Sequence, residues 1–171
     1  MSQALLQTLD VTRSFEVGAG IFSRKQALKA VNGVSLEVNK GDVLGLVGES
    51  GCGKSTMALM LLGLLPPSTG QILFDGKPVS SLPRLEMARR IQPIFQDPYS
   101  SLNPRKTVGD IIALPLRVHG KASAAERKRK VEEIMDLVGL PKRYVTNYPS
   151  QLSGGQRQRV AIARALIMRP E

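Results

Sequence analysis

The stretch Val43-Leu-Gly-Leu-Val-Gly-Glu-Ser-Gly-Cys-Gly-Lys-Ser-Thr56 decides the fold of this chain of 171 residues. An apolar run leads into a glycine-rich loop, and the loop leads into a second apolar segment. This order predicts a strand, a phosphate-binding loop and a helix. Gly48, Gly53, Lys54 and Ser55 match the pattern G-x-x-x-x-G-K-S/T in full, so the sequence predicts a site for a nucleoside triphosphate.

Each part of this loop has a physical role in binding phosphate. Glycines let backbone N–H groups turn inward where a Cβ atom would collide, and the helix start adds unpaired N–H groups and the positive end of its dipole. Lys54 can reach the β- and γ-phosphates, and the Ser55 hydroxyl is placed to bind Mg²⁺. The residues expected to contact the nucleotide are Gly48, Glu49, Ser50, Gly51, Cys52, Gly53, Lys54, Ser55 and Thr56.

Composition narrows the class of protein. The net charge is +10, but its densest cluster, residues 127–130, lies in a segment with a helical pattern and is typical of a solvated helix face. Trp is absent and Tyr and Phe are few, so base stacking is not supported and no nucleic-acid partner is expected. A single cysteine excludes an internal disulfide and a cysteine-based zinc site. With no export signal and no apolar run near the roughly 20 residues of a membrane span, the cytoplasm is the expected compartment.

The first half of the chain is predicted to be rich in strands. Alternating apolar residues predict strands over 4–15, 28–39, 71–74 and 91–95, besides the one before the phosphate-binding loop. Gly18–Gln26 is predicted to be a loop, and Asn32-Gly33 is a turn dipeptide inside the second strand. Asp75-Gly76 predicts a tight hairpin turn.

The remaining segments show helical periodicity. The helix after Thr56 is apolar nearly all round, which predicts that it is buried and stopped by Pro66-Pro67. A second helix is predicted from Thr107, with Pro115 ending or kinking it. Capping boxes at Ser123 and Ser153 predict two more helices. Gly139 is the expected stop of the earlier one.

The helix start at Ser153 carries a further signal. Glycines flank it, and three arginines follow on the same helix, at positions 157, 159 and 164. A capped helix start with nearby positive charge predicts an anion site, and the alternative is an ordinary capped helix.

Three motifs now stand in order, and with them the chain resembles the ATP-binding subunit of ABC transporters. They are the phosphate-binding loop Gly48–Thr56, the glutamine loop Phe95-Gln96-Asp97-Pro98 and the signature Leu152-Ser-Gly-Gly-Gln156. The stretches Gln96–Arg105 and Tyr148–Arg159 resemble the branch that imports oligopeptides, dipeptides and nickel. The resemblance runs over essentially the whole chain.

The resemblance implies an α/β P-loop NTPase fold with an N-terminal antiparallel β region and a helical insert. It implies a nucleotide-binding core over 1–97, a helical subdomain over 98–150, and the signature motif and its helix over 151–171. It also implies ATP and Mg²⁺ as ligands, a second ATP-binding subunit in a homo- or heterodimer, and two membrane-spanning permease subunits. An extracytoplasmic solute-binding protein would act indirectly, and the subunit would lie on the cytoplasmic side of the plasma (inner) membrane.

The resemblance also assigns residues. Phe15 would stack on adenine, the alternative being a core phenylalanine. Gln96 would touch Mg²⁺ or the attacking water. The signature residues Ser153, Gly154, Gly155 and Gln156 would contact the γ-phosphate of the nucleotide held by the opposite subunit.

One departure from the family pattern changes the expectation. In the family the signature helix leads to a strand ending in Asp-Glu and to a later histidine, whereas this sequence reads Met168-Arg-Pro-Glu171 after that helix. His119 precedes the signature and is expected to be a solvent-exposed helix-end residue. We therefore expect a core that is incomplete at its C-terminus, poorly stable alone and without hydrolytic activity.

Three functions remain open at this point. The first is a transport ATPase subunit in truncated form. The second is a non-catalytic nucleotide-binding fragment or a regulatory partner of a complete subunit. The third is a soluble ABC-type ATPase that acts on nucleic acid or ribosomes, which the stretch from Gln96 to Arg105 disfavours.

Overall fold

The computed structural model describes residues 4–17, 26–97, 101–120 and 122–171. It divides into two compact units, Met1–Met87 and Ala88–Glu171. The predicted loop at Gly18–Gln26 lies, apart from its last residue, outside the described residues. Among the described residues, no helix has the length and apolar character needed to span a membrane.

The first unit is built on an antiparallel sheet. Its strands are β1 (Leu6–Val17), β2 (Gln26–Val38), β3 (Thr69–Phe74) and β4 (Lys77–Pro78), in the order β2-β1-β3-β4. The predicted N-terminal antiparallel region is therefore confirmed. Buried Thr8 bridges the two long strands, because its hydroxyl donates to the Val34 carbonyl and accepts from the Leu36 N–H, both at 3.0 Å.

The dipeptide Asn32-Gly33 does not turn the chain. β2 continues through it, and the pairing with β1 shifts register between Val11 and Arg13. Gly33 has φ 62°, which a glycine adopts without steric penalty, and the extra residue is absorbed as a bulge. The turn inside the strand was a wrong prediction, because pairing with β1 on both sides of the glycine outweighs local turn preference.

The hairpin at Asp75-Gly76 is confirmed. The two residues have φ 52° and 72°, and they join β3 to β4. Positive φ at both central positions is what a two-residue hairpin loop of type I′ requires.

Helix α1 (Lys54–Leu61) follows the phosphate-binding loop as predicted but ends before the prolines. Gly63, at φ 67°, terminates it, and the Leu64 N–H bonds to the Leu59 carbonyl. Only Met57 and Met60 of the helix are buried, while Leu59 and Leu64 are exposed. The expectation of a helix buried all round was wrong, because only the face carrying the two methionines is covered.

Two predicted strands are not formed. Within the described range 26–97, residues 42–49 and 91–95 belong to no strand. The side chains of Val43 and Val47 are 99% and 92% exposed, and that of Phe95 is 48% exposed. A strand exists only where a neighbour shares its backbone hydrogen bonds, and the four-stranded sheet offers these segments no neighbour. The prediction of strands in these two segments, which rested on their apolar pattern alone, was therefore wrong.

The remaining described helices are α2 (Arg84–Arg90), α3 (Val108–Val118), α4 (Ala124–Leu137) and α5 (Gly154–Leu166), with 3-10 turns at Val79–Ser81, Lys142–Thr146 and Pro149–Gln151. Side-chain caps precede α3, α4 and α5, as expected for predicted helices, whereas α2 was not predicted. Ser123 caps α4 by accepting from the Glu126 N–H, and Gly139, at φ 67°, follows its end as predicted. Pro115 lies inside α3, which runs three residues further, so it does not end the helix. Its fixed φ suits a helix, and apolar packing of α3 outweighs the missing N–H.

The second unit has one apolar core shared by three helices. α3, α4 and α5 each contribute buried side chains, and Leu102, Leu140, Leu152 and Ile167 join them from the connecting segments. The predicted helical segment and the signature helix thus pack together in one unit. The division into 1–97, 98–150 and 151–171 stays a prediction.

Candidate functional site

The glycine-rich loop has a backbone that only glycine accepts readily. Gly51 and Gly53 have φ 84° and 96°, in the left-handed region. A Cβ atom on Gly53 would lie 2.0 Å from the carbonyl oxygen of Ala30 in β2. Position 53 therefore requires glycine both for its dihedrals and for the close approach of the sheet. The sequence motif predicted the glycine. It did not predict the close approach of β2, because that contact is made by a backbone carbonyl and depends on no residue type.

Helix α1 begins differently from the other long helices. Thr107, Ser123 and Ser153 each accept a bond from a first-turn N–H of α3, α4 and α5, whereas α1 has Gly53 as its N-cap and no side-chain cap. The first N–H groups of a helix lack intrahelical partners. At α1 they remain available to an anion, which the dipole also favours.

Lys54 is folded over the loop. Its Nζ atom lies 2.7 Å from the carbonyl oxygen of Gly48 and 2.6 Å from that of Glu49. It also lies 3.5 Å from Sγ of Cys52, which is an exposed free thiol. The ammonium thus already binds oxygen acceptors beside the uncapped helix start. Phosphate oxygens would be stronger acceptors because they are charged.

The other predicted phosphate-binding residues are mostly exposed to solvent. Glu49, Ser50 and Ser55 are exposed, and Thr56 is half-buried in the first turn of α1. A Cβ atom on Gly48 would lie 2.6 Å from Sγ of Cys52, an exposed side chain that can rotate away. The predicted loop residues therefore form one continuous feature of the first unit.

Phe15 lies on β1 opposite Leu28 of β2 and is half-buried. The Arg13 guanidinium carbon lies 4.8 Å from the centre of its ring, which is the geometry of a cation–π contact. Arg13 is itself anchored, since it donates to the Pro66 carbonyl at 3.0 Å. The role of Phe15 in adenine stacking stays a prediction.

Gln96 lies in the second unit and is exposed, in a segment without regular secondary structure. Ser55, the other predicted Mg²⁺ ligand, lies in the first unit. Both side chains offer oxygen, the donor that Mg²⁺ prefers. Among the described residues, no group of three or more His, Cys, Asp or Glu could hold a metal ion. The roles of Ser55 and Gln96 as Mg²⁺ ligands stay predictions.

The signature residues form the first turn of α5. Ser153 and Gln156 make the predicted capping box, with the Ser153 hydroxyl accepting from the Gln156 N–H and the Gln156 side chain accepting from the Ser153 N–H. Gly154 and Gly155 are exposed, and an added Cβ on either would meet nothing within 4 Å. Neither glycine has positive φ. The fold of this chain therefore does not require glycine at these two positions.

The three arginines of α5 are directed at backbone carbonyls. Arg157 donates to Leu152 at 2.6 Å, Arg164 donates to Ser101 at 2.6 Å, and Arg159 donates to Val138. Burial lowers the pKa of the Arg164 guanidinium. Each guanidinium thus donates to a loop or helix-end carbonyl. Spacing along the helix carries no signal for such long-range partners. The anion site at the start of α5 stays a prediction.

The comparison with protein families agrees with this geometry. The family model described as ABC transporter matches residues 31–171. This chain belongs to the ABC transporter family. The family predicted from the three motifs is thus confirmed.

Two curated relatives are similar over nearly the whole chain. The oligopeptide transport ATP-binding protein AppF of Bacillus subtilis is 47% identical over 174 residues, 99% of this chain and 53% of that protein. The di/tripeptide transport ATP-binding protein DppF of Pseudomonas aeruginosa is 42% identical over 172 residues, again 99% and 53%. The chain spans about half the length of the curated relatives it matches.

A solved structure confirms the α/β fold of the ABC ATPases. The dimeric structure of a post-hydrolysis state of an ATP-binding cassette bound to ADP and Pi has a TM-score of 0.82 and 32% identity, and the match covers 96% of this chain and 70% of that one. A second match is cbiO1 from Clostridium perfringens, part of an ABC transporter complex, with a TM-score of 0.79 and 27% identity over 98% of this chain and 62% of that one.

Proposed function

We propose that this chain is an ATP-binding subunit, or the nucleotide-binding part of one. The subunit would provide the energy for ABC-type import of peptides or of a related solute such as nickel. The observation that carries the proposal is the uncapped start of α1 beneath the glycine-rich loop, with the Lys54 ammonium between its carbonyls. The solute class is supported by the names of the relatives, which are oligopeptide and di/tripeptide transport proteins.

The loop would hold the phosphates of ATP through its own backbone. The N–H groups of residues 51–56 would donate to phosphate oxygens. Lys54 would exchange the carbonyls of Gly48 and Glu49 for the β- and γ-phosphates. Ser55 and Gln96 would each offer an oxygen to Mg²⁺, which neutralises charge on the phosphates when it is bound. Phe15 would stack on adenine.

The signature turn would serve a nucleotide held by a second subunit. The Ser153 oxygen accepts a bond from the Gln156 N–H, which leaves its own proton free to donate to an anion. Gly154 and Gly155 leave the backbone bare on the exposed side of the turn. A glycine in a helix is less stable than alanine by roughly 0.5–1 kcal/mol, so two glycines without an internal steric reason support close approach by an external group.

The proposed assembly follows from the family. A second ATP-binding subunit, identical or not, would supply the nucleotide that the signature turn contacts. Two membrane-spanning permease subunits would couple this pair to transport on the cytoplasmic side of the membrane, and a solute-binding protein would deliver the cargo on the other side. Closing and opening of such a pair would be a rigid-body motion of the subunits, which could drive transport.

Nucleotide binding tests the proposal directly. A fluorescent ATP analogue is titrated into the chain with Mg²⁺ and displaced with unlabelled ATP. Lys54→Ala should weaken binding by about tenfold or more, because charge-assisted hydrogen bonds contribute roughly 1.5–3 kcal/mol. Lys77→Ala, which removes an exposed lysine of β4 in the same unit, is the matched control and should leave affinity unchanged. Equal ATP affinity of the Lys54→Ala variant and the wild-type chain would contradict the proposal.

Hydrolysis is a separate measurement. Release of phosphate from ATP, measured on the wild-type chain and on Lys54→Ala, tests the expected lack of hydrolytic activity. Turnover that is lost in Lys54→Ala would contradict that expectation.

A further inference from the structure

Arg157 donates hydrogen bonds to the backbone that leads into the signature turn, the first turn of α5 with Ser153–Gln156. Its Nη1 atom lies 2.6 Å from the Leu152 carbonyl oxygen and 3.3 Å from the Pro149 carbonyl oxygen. We infer that Arg157 is a positioning residue, which sets the Ser153 hydroxyl and the N–H groups of the next two residues for the nucleotide of a partner subunit. This inference rests on the proposed function.

The bonds of Arg157 act on the short segment that leads into α5. Pro149–Gln151 is a single 3-10 turn, and Leu152 follows in extended conformation before α5 begins. The Leu152 side chain is buried in the core, so its position is fixed on the apolar side. The guanidinium fixes the carbonyl of the same residue on the polar side. Together the two contacts leave the peptide before Ser153 little freedom to rotate.

The Arg157 side chain is half-buried, whereas Ser153, Gly154 and Gly155 are exposed. Two of its hydrogen bonds go to carbonyls of the preceding loop. A planar guanidinium can hold two acceptors in a set direction, which a lysine ammonium on a flexible stem does less well. The effect of Arg157 on an anion would therefore pass through the turn that it orients.

Arg159 offers a matched control on the same helix. It is exposed, and it donates to the Val138 carbonyl at the end of α4, not to the loop before Ser153. Arg157→Gln and Arg159→Gln change the net charge equally and replace the same side chain by the same amide. Only the first removes the contacts to Pro149 and Leu152.

The first experiment measures ATP-dependent pairing of two copies of the chain by sedimentation velocity. Loss of charge-assisted bonds to two carbonyls in Arg157→Gln should weaken pairing by about tenfold or more. Arg157→Lys should give an intermediate loss because one donor can be restored. Arg159→Gln should pair like the wild-type chain. ATP binding by the single chain should be unchanged in all three variants, since the phosphate-binding loop lies in the other unit.

A double-mutant cycle separates positioning from general stability. If Arg157 acts by orienting Ser153, the Arg157→Gln change should have less than about a twofold further effect on pairing in a Ser153→Ala background, because coupled residues are not additive. A full loss added to that of Ser153→Ala would overturn the inference.

A second readout does not depend on pairing. Amide hydrogen exchange over residues 149–155 should be faster in Arg157→Lys than in the wild-type chain, while exchange in α3 stays the same. Unchanged exchange in the turn would overturn the inference even if pairing fell. A wild-type chain that binds ATP but never pairs would overturn the proposed trans site and this inference together. Normal pairing of Arg157→Gln would overturn this inference alone.

Discussion

The Oγ atom of Ser153 lies 3.3 Å from the backbone nitrogen of Gln156, and Oε1 of Gln156 lies 2.9 Å from the backbone nitrogen of Ser153. These reciprocal bonds satisfy two backbone donors at the start of α5. The serine oxygen acts as an acceptor here, and its proton remains free. One side chain can therefore hold the helix and bind an anion at the same time.

Replacing Ser153 should separate these two roles. Ser153→Ala removes the cap and should lower the free energy of unfolding by about 1 kcal/mol, whereas Ser153→Gly should lower it by only a few tenths. Both variants lose the hydroxyl, so in both the ATP-dependent pairing of two copies of the chain should be weaker. Urea unfolding followed by circular dichroism measures the first effect. Equal stability of Ser153→Ala and the wild-type chain would contradict the capping role.

The two signature glycines should respond in opposite directions in stability and function. Gly154→Ala and Gly155→Ala should each raise the free energy of unfolding by about 0.5–1 kcal/mol, because alanine is the better helix former and has open space there. Each should weaken ATP-dependent pairing, because the new methyl group covers the backbone. Gly139→Ala is the contrasting variant and should destabilise, since Gly139 has φ 67° and a Cβ there would lie 2.8 Å from the Arg159 guanidinium. Destabilisation by Gly154→Ala would show that its glycine is structural.

Gly53→Ala should damage the first unit. The residue has φ 96°, and its Cβ would lie 2.0 Å from the Ala30 carbonyl oxygen. Strain of this kind costs of order 1–3 kcal/mol, which thermal unfolding would detect. Gly45→Ala is the control, because it has no positive φ and an added Cβ would meet nothing within 4 Å. Equal unfolding temperatures of the two variants would contradict the close approach of Gly53 to β2.

Asp110 should make stability depend on pH. A hydrogen bond from Arg117, and then one from Thr107, lower the pKa of Asp110 below its ordinary value of 3.8. A carboxyl whose pKa is depressed on folding stabilises the folded state above its unfolded pKa, and this contribution is lost as the pH falls through the folded pKa. Because the pair is partly exposed, the contribution is no more than about 1 kcal/mol.

The measurement for Asp110 is urea unfolding at a series of pH values. The wild-type chain should lose more stability than Asp110→Asn between about pH 5 and pH 2, and the difference between the two should be constant above that range. Asp136→Asn removes an exposed carboxylate of α4 that pairs with Lys142 and serves as the comparison for surface pairs. Parallel pH profiles of the wild-type chain and Asp110→Asn would rule out the linkage.

The sequence by itself determined the features that depend on near neighbours in the chain. The caps at Ser123 and Ser153, the hairpin at Asp75-Gly76 and the glycine-rich loop formed as predicted, because each is set by interactions within a few residues. The same locality explains why motif spacing identified the family and located the loop and the signature turn.

The tertiary structure alone decided everything that needs a distant partner. The apolar run 43–47 has the pattern of a strand but is not one, because no neighbouring strand is present in the described sheet to share its hydrogen bonds. β2 passes through Asn32-Gly33 because β1 pairs with both sides of it. Arg157 holds the signature loop through carbonyls that no sequence pattern marks. Backbone partners leave no trace in the residue types that bind them, so these contacts emerge only when the chain is folded.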